Sequence, residues 1–187
     1  MIDVNQLRKG TTFLEDGQIL KVLAYQHIKP GRGNATIRVK VRNMRTGATV
    51  EQTYNSGTQV QDIEVDRHNV EYLYDDGQFL TFMDQQTFEQ PQIRKDVFGD
   101  DALYLKEGLQ LRLSSYDGEI IDYELPKTID MKVVESEMAI AGDTAVNPQK
   151  KVTTESGLVV SVPMFINVGD VIRINTEEGA YSTRVNE

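Results

Sequence analysis

Seven residues between two alternating apolar runs hold the most specific chemistry in this sequence: Lys29-Pro30-Gly31-Arg32-Gly33-Asn34-Ala35. Two cations, two glycines and no bulky apolar side chain mark a hairpin tip rather than a piece of core. Pro30 fixes φ and stiffens the way into the turn. Gly31 and Gly33 remove Cβ atoms on either side of Arg32, which lets the backbone approach another surface closely. A guanidinium presents five donors in a planar fork that suits phosphates and base edges and also stacks on a base. An arginine isolated between glycines therefore points to RNA contact. Pro-Gly and Gly-Asn are also ordinary turn formers, so a plain solvated turn is the competing reading.

No other constellation competes with this loop. His27 and His68, the only histidines, stand outside any His-x-x-His or His-Glu-x-x-His spacing, and no Gly-x-Ser-x-Gly elbow is present. Asp75-Asp76, Asp100-Asp101 and Glu177-Glu178 lie in or beside turns without the further ligands of a calcium loop. Gly31-x-Gly33 lacks the rest of a dinucleotide fingerprint. Cysteine is absent, which removes disulfides, thiolate metal sites and cysteine nucleophiles together. The sequence thus predicts no catalytic residue, no metal, no cofactor and no enzymatic activity. No apolar run approaches the roughly 18 residues of a membrane span, and the start has no charged-then-apolar leader pattern, so a cytoplasmic protein is expected.

Net charge is −9, which by itself argues against a polyanionic partner. Its distribution argues otherwise. Residues 1–65 carry nine Lys/Arg against six Asp/Glu, residues 66–127 six against fourteen, and residues 128–187 five against nine. From Gly17 to Val50 there is no acidic residue, while Lys21, Lys29, Arg32, Arg38, Lys40, Arg42 and Arg45 are all present. In Ile37-Arg38-Val39-Lys40-Val41-Arg42 strict alternation turns the apolar residues to a core and Arg38, Lys40 and Arg42 to the other face, a basic row beside the tip.

The elements that must position these residues are strands. β-branched and aromatic runs predict strands at 19–28, 36–43, 50–54, 70–74, 79–84, 110–115, 120–125, 129–135, 158–162 and 171–175. Asp16-Gly17, Thr46-Gly47, Asp76-Gly77, Asp117-Gly118 and Glu178-Gly179 predict the turns between them. Short helices are expected near 83–88 and 97–106. Gly108-Leu109-Gln110-Leu111-Arg112-Leu113 with Gly118 matches Gly169-Asp170-Val171-Ile172-Arg173-Ile174 with Gly179 in spacing, as two similar small barrels would require. The fold class is all-β, with a basic N-terminal domain at 1–65 and acidic domains at 66–127 and 128–187.

The tip Lys29-Pro30-Gly31-Arg32-Gly33, with Thr46-Gly47 and Glu51-Gln52-Thr53-Tyr54-Asn55-Ser56, resembles the N-terminal domain of the bacterial elongation factor P family. Tyr72-Leu73-Tyr74-Asp75-Asp76-Gly77, Phe82-Met83-Asp84 and Glu124-Leu125-Pro126 resemble its second domain. Lys150, Val152, Gly157, Val160, Val162-Pro163, Ile166 and Gly169 sit at the spacing of the signature in its third. The resemblance spans essentially the whole chain. It implies a KOW/SH3-like barrel followed by two OB-fold barrels in an L-shaped, tRNA-like arrangement.

The same resemblance implies a monomeric translation elongation factor that binds the 70S ribosome, its rRNA and its proteins, between the P and E sites. Residues Lys29 to Asn34 would meet the CCA end of peptidyl-tRNA, with Arg32 at the tip, and would relieve stalling on consecutive prolines. The loop Gly142-Asp143-Thr144 would approach the exit-site mRNA codon, and Tyr181 and Arg184 would contact RNA. In relatives the tip is Lys or Arg and is often modified by a dedicated enzyme. Arg32 excludes the lysine chemistries and leaves rhamnosylation and unmodified action open, on a loop otherwise similar to the lysine type. Ala141 replaces a family arginine ahead of Gly142, and Glu177-Glu178 makes a usually basic stretch acidic. The alternative function is a general OB-type single-stranded RNA-binding protein, which would need aromatic stacking residues along the barrels.

Overall fold

Alternation along the basic run is what organises the first sheet. In the computed structural model, which describes residues 1–138 and 147–185, Ile37, Val39 and Val41 are fully buried, while Arg38, Lys40 and Arg42 are exposed. Around this strand the sheet contains β1 (Ile2–Asp3), β2 (Thr12–Glu15), β3 (Gln18–Ile28), β4 (Thr36–Asn43), β5 (Thr49–Asn55) and β6 (Gln59–Asp62). Their spatial order is β1-β6-β2-β3-β4-β5. Its core is Val4, Leu7, Phe13, Leu20, Val22, Ile37, Val39, Val41 and Val60. Asp16 and Gly17 both take positive φ, as a two-residue hairpin loop with the right twist requires, and Glu15 pairs with Gln18 across it.

The second sheet contains β7 (Asp66–Asp75), β8 (Phe79–Asp84), β9 (Gln92–Arg94), β10 (Gln110–Tyr116) and β11 (Glu119–Glu124), ordered β11-β10-β7-β8-β9. A single helical turn, α1 (Lys95–Phe98), and a 3-10 stretch over Gly99–Tyr104 connect β9 to β10. An aromatic chain fills its interior. Tyr72 meets Phe82 edge-on at 5.6 Å, Phe82 stacks near Phe98 at 5.7 Å, and Phe98 stacks on Tyr123 at 4.0 Å.

The third sheet contains β12 (Thr128–Ser136), β13 (Gln149–Thr154), β14 (Val159–Pro163), β15 (Val171–Asn175) and β16 (Ala180–Val185), ordered β14-β13-β12-β15-β16. The two outer strands, β14 and β16, touch, which curls the sheet into a barrel. Its core of Ile129, Met131, Val133, Val152, Val160, Val162, Ile166, Ile172 and Ile174 also takes in Tyr104 from the 3-10 stretch. By internal packing the chain forms two compact units, Met1–Arg67 with Leu113–Asp122, and His68–Arg112 with Tyr123–Glu187.

The helix expected near 83–88 is not formed. Asp84 closes β8 and its carboxylate accepts the backbone N–H groups of Gln86 at 2.8 Å and Thr87 at 3.0 Å, while Phe88 takes φ 60°. An Asp that captures the amides two and three residues on offers the backbone a turn instead of a helix. These N–H groups, that of Thr87 foremost, hold the Asp84 carboxyl below its usual range against its burial, with His68 assisting. A carboxyl depressed in the folded state stabilises fully above its unfolded value of about 3.9 and loses that contribution as pH falls through the folded value. This contribution is therefore expected to be complete above about pH 5 and to fade below about pH 4. Asp84→Asn should make the acid limb of a thermal-midpoint profile shallower, since Asp75, Asp76 and Asp130 are held low as well; an unchanged limb would contradict this assignment.

Candidate nucleic-acid interface

β3 and β4 form the longest hairpin of the first unit, paired from Leu20↔Asn43 to Ile28↔Thr36. A register shift between Val22 and Ala24 marks a bulge in β3, which sharpens the local twist. β5 backs β4 along its whole length, from Thr36↔Asn55 to Arg42↔Thr49, and the N–H of Ser56 donates to the Ala35 carbonyl at 2.9 Å. The seven-residue tip therefore rises from a base secured on both sides.

Within the tip, Lys29, Pro30, Gly31, Arg32, Gly33 and Asn34 are all exposed. Gly33 has φ +110°, which an L side chain rarely adopts, whereas a Cβ built on Gly31 meets nothing within 4 Å. The two glycines thus differ: Gly33 shapes the turn, and Gly31 only keeps the approach to Arg32 clear. Among the described residues Arg32 has neither an ion pair nor a side-chain hydrogen bond, and Lys29, Arg38, Lys40 and Arg42 also form no ion pair.

Two cations of the same acid-free stretch are spent within the first unit. Lys21 pairs with Asp122. Arg45 donates to Glu119 through Nε at 3.2 Å and Nη2 at 3.0 Å, and to the Gly17 carbonyl at 3.2 Å. Lys21 lies opposite Arg42 across the β3–β4 ladder, so Asp122 also relieves a like-charge pair. No sequence signal announces either pairing, because the partners lie 101 and 74 residues away. What remains free is a line of cations along β4 that leads to the tip, the arrangement phosphate binding needs.

The carried-over C-terminal residues are in the other unit. Tyr181, on β16, is half-buried and packs on the third sheet's core, while Arg184 lies over the ring of Phe165 at 5.5 Å. Gly142, Asp143 and Thr144, with Ala141, lie outside the described residues. Phe165 was not among the residues singled out from sequence. Its position between Pro163 and Ile166 reads as core, and only the observed exposure separates it from its buried neighbour. Among the described residues no group of His, Asp and Glu could hold a metal ion, and no helix is long and apolar enough to cross a membrane.

Comparison with known proteins agrees with this architecture. The KOW-like domain of elongation factor P matches residues 3–60, its OB domain residues 65–123, and its C-terminal domain residues 129–184. Among solved structures, the one described as eukaryotic translation initiation factor 5A from Methanococcus jannaschii is 20% identical with a TM-score of 0.51, over 66% of this chain and 93% of that one. A translation initiation factor 5A family protein from Naegleria fowleri is 15% identical with a TM-score of 0.43, over 66% and 96%. The first likeness shows a shared fold across the matched part. With all three of its domains matched in order along nearly the full length, the chain belongs to the elongation factor P family of translation factors.

Proposed function

We propose that this chain binds the ribosome between the P and E sites and stimulates peptide-bond formation at consecutive prolines by positioning the CCA end of peptidyl-tRNA with the Arg32 loop. The observation that carries the proposal is the exposed, unpaired Arg32 guanidinium at the end of a braced hairpin, continued by the free cations Arg38, Lys40 and Arg42. Proline's ring restricts both the nascent chain and the attacking amine, so productive alignment is rare. Restraining the tRNA end restores it by orientation alone, and no catalytic group of the factor is needed. The partners in this proposal are ribosomal RNA and proteins, peptidyl-tRNA and the exit-site codon. The factor acts as a cytoplasmic monomer with domain boundaries near residues 65 and 127.

The chain has no cysteine, so Arg32→Cys gives a single attachment point for a photo-crosslinker. On ribosomes that hold peptidyl-tRNA, the expected adduct is with the tRNA acceptor end; adducts confined to other ribosomal components would remove the proposal. Charge reversal at Arg38 and Lys40 tests the supporting row. Binding to ribosomes should weaken, and the dependence of log affinity on log salt should become shallower by about one to two. An unchanged slope would show that the row touches no phosphate. Intact mass of the native protein decides modification, since a value equal to that of the bare sequence leaves no sugar on Arg32.

A further inference from the structure

The β8–β9 connection holds an aromatic ring outward in a conformation that costs the fold. Phe88 is 72% exposed, the most open aromatic ring among the described residues, and it takes φ 60°. The other non-glycine residues with positive φ are Asp16, Asp117 and Asn147, whose short polar side chains tolerate this region, whereas a bulky side chain there is strained. The loop is tied down around it. The Phe88 N–H donates to the Asp84 carbonyl at 2.9 Å, the Asp84 N–H to the Glu89 carbonyl at 2.8 Å, and the Phe82 N–H to the Pro91 carbonyl at 3.0 Å. Folding gains neither packing nor backbone ease from this ring, so contact outside the chain is what its display would serve.

Charge decides what kind of surface the ring can meet. From Asn69 to Ile93 there is no Lys or Arg, while Glu71, Asp75, Asp76, Asp84 and Glu89 are all present. Lys95 takes Asp75, and His68 takes Asp84. Glu89, exposed and next to Phe88, forms no ion pair among the described residues. A phosphate backbone would be repelled by this stretch. An apolar socket with a Lys or Arg at its rim would instead bury the ring and pair the carboxylate in one step.

We infer that Phe88 and Glu89 form a docking knob for a basic protein surface, the ring entering an apolar socket and the carboxylate meeting a cation at its rim. The inference rests on the proposed ribosomal function for its setting, which makes the partner a protein of the ribosome. It gives the second sheet a protein contact, where the free cations of the first sheet are proposed for RNA.

The test replaces Phe88 in the full chain by its photoreactive benzoyl derivative and irradiates it on purified ribosomes that hold peptidyl-tRNA. The expected adduct is with a ribosomal protein, at a segment that carries Lys or Arg. An adduct with RNA, an adduct with a second copy of this chain, or none at all would overturn the knob. Phe88→Gly removes the ring and suits the positive φ, so its thermal midpoint should equal or exceed that of the native chain while ribosome binding weakens roughly tenfold. A lowered midpoint would mean that the ring serves the fold, and unchanged affinity that it meets nothing; either result sinks the inference. Glu89→Lys should weaken binding as well, and equal affinity would remove the carboxylate from the contact. Crosslinking from Arg32→Cys in parallel separates the two readings: adducts there without a protein adduct at position 88 reject the knob alone, and absence of both rejects the ribosomal proposal with it.

Discussion

Replacing Arg32 by Ala is expected to abolish rescue of a polyproline reporter in purified translation while leaving the thermal midpoint unchanged. The side chain is exposed and makes no ion pair or hydrogen bond among the described residues, and surface changes of this kind alter stability by about 0.5 kcal/mol or less. The functional loss has a different scale, because misplacing reacting groups by about an ångström costs roughly 100-fold in rate. Arg32→Lys should fall between, since it keeps the charge but not the planar fork. Lys29→Ala should have a smaller effect than Arg32→Ala, as Lys29 stands at the base of the tip. Native-level rescue by Arg32→Ala would detach the tip from the mechanism and leave the basic row as a general RNA-binding surface.

Tyr104→Ala is expected to cost about 3–4 kcal/mol of stability. Tyr104 belongs to the connection between β9 and β10, yet its ring is buried in the third sheet's core at 8% exposure. Neighbouring contacts hold it there: Ser156 Oγ donates to the Leu103 carbonyl and Lys106 Nζ to the Asp130 carbonyl. Gly179 completes the seat, with φ +65° and a position at which a Cβ would lie 3.0 Å from the Tyr104 hydroxyl. Gly179→Val should thus mimic part of the Tyr104→Ala loss by strain and crowding. Chemical denaturation followed by tyrosine fluorescence and far-UV signal checks both; a cost below about 1 kcal/mol for Tyr104→Ala would mean that the ring is not part of that core.

The strands that sequence reading placed well are those whose own alternation dictates them. β4, β8 and β15 fall at 36–43, 79–84 and 171–175, as expected from period-two patterns bounded by turn residues. The omitted strands lack that internal signal. β13 reads Gln-Lys-Lys-Val-Thr-Thr, with only Val152 and Thr154 buried, β16 has no fully buried residue, and β1, β2, β6 and β9 are two to four residues long. Their strand character comes from neighbours that supply the ladder, a tertiary effect that propensity does not carry. At the candidate site, exposure of the tip and outward orientation of Arg38, Lys40 and Arg42 were legible from residue type and spacing. The neutralisation of Lys21 and Arg45, the packing of half-buried Tyr181 and the exposure of Phe165 were not, because each depends on how segments apart in sequence come together.

The first unit is discontinuous, since Leu113–Asp122 belongs to it although 45 residues of the other unit intervene. During synthesis, at about 5–20 residues per second, that hairpin is complete roughly three to eleven seconds after residue 67. For that interval the nascent N-terminal sheet would emerge with Lys21 and Arg45 uncompensated, its positive field at its strongest beside a surface made largely of RNA. Capture by the acidic hairpin then lowers that field, so the order of translation itself gives a newborn chain a stickier phase that a finished one lacks.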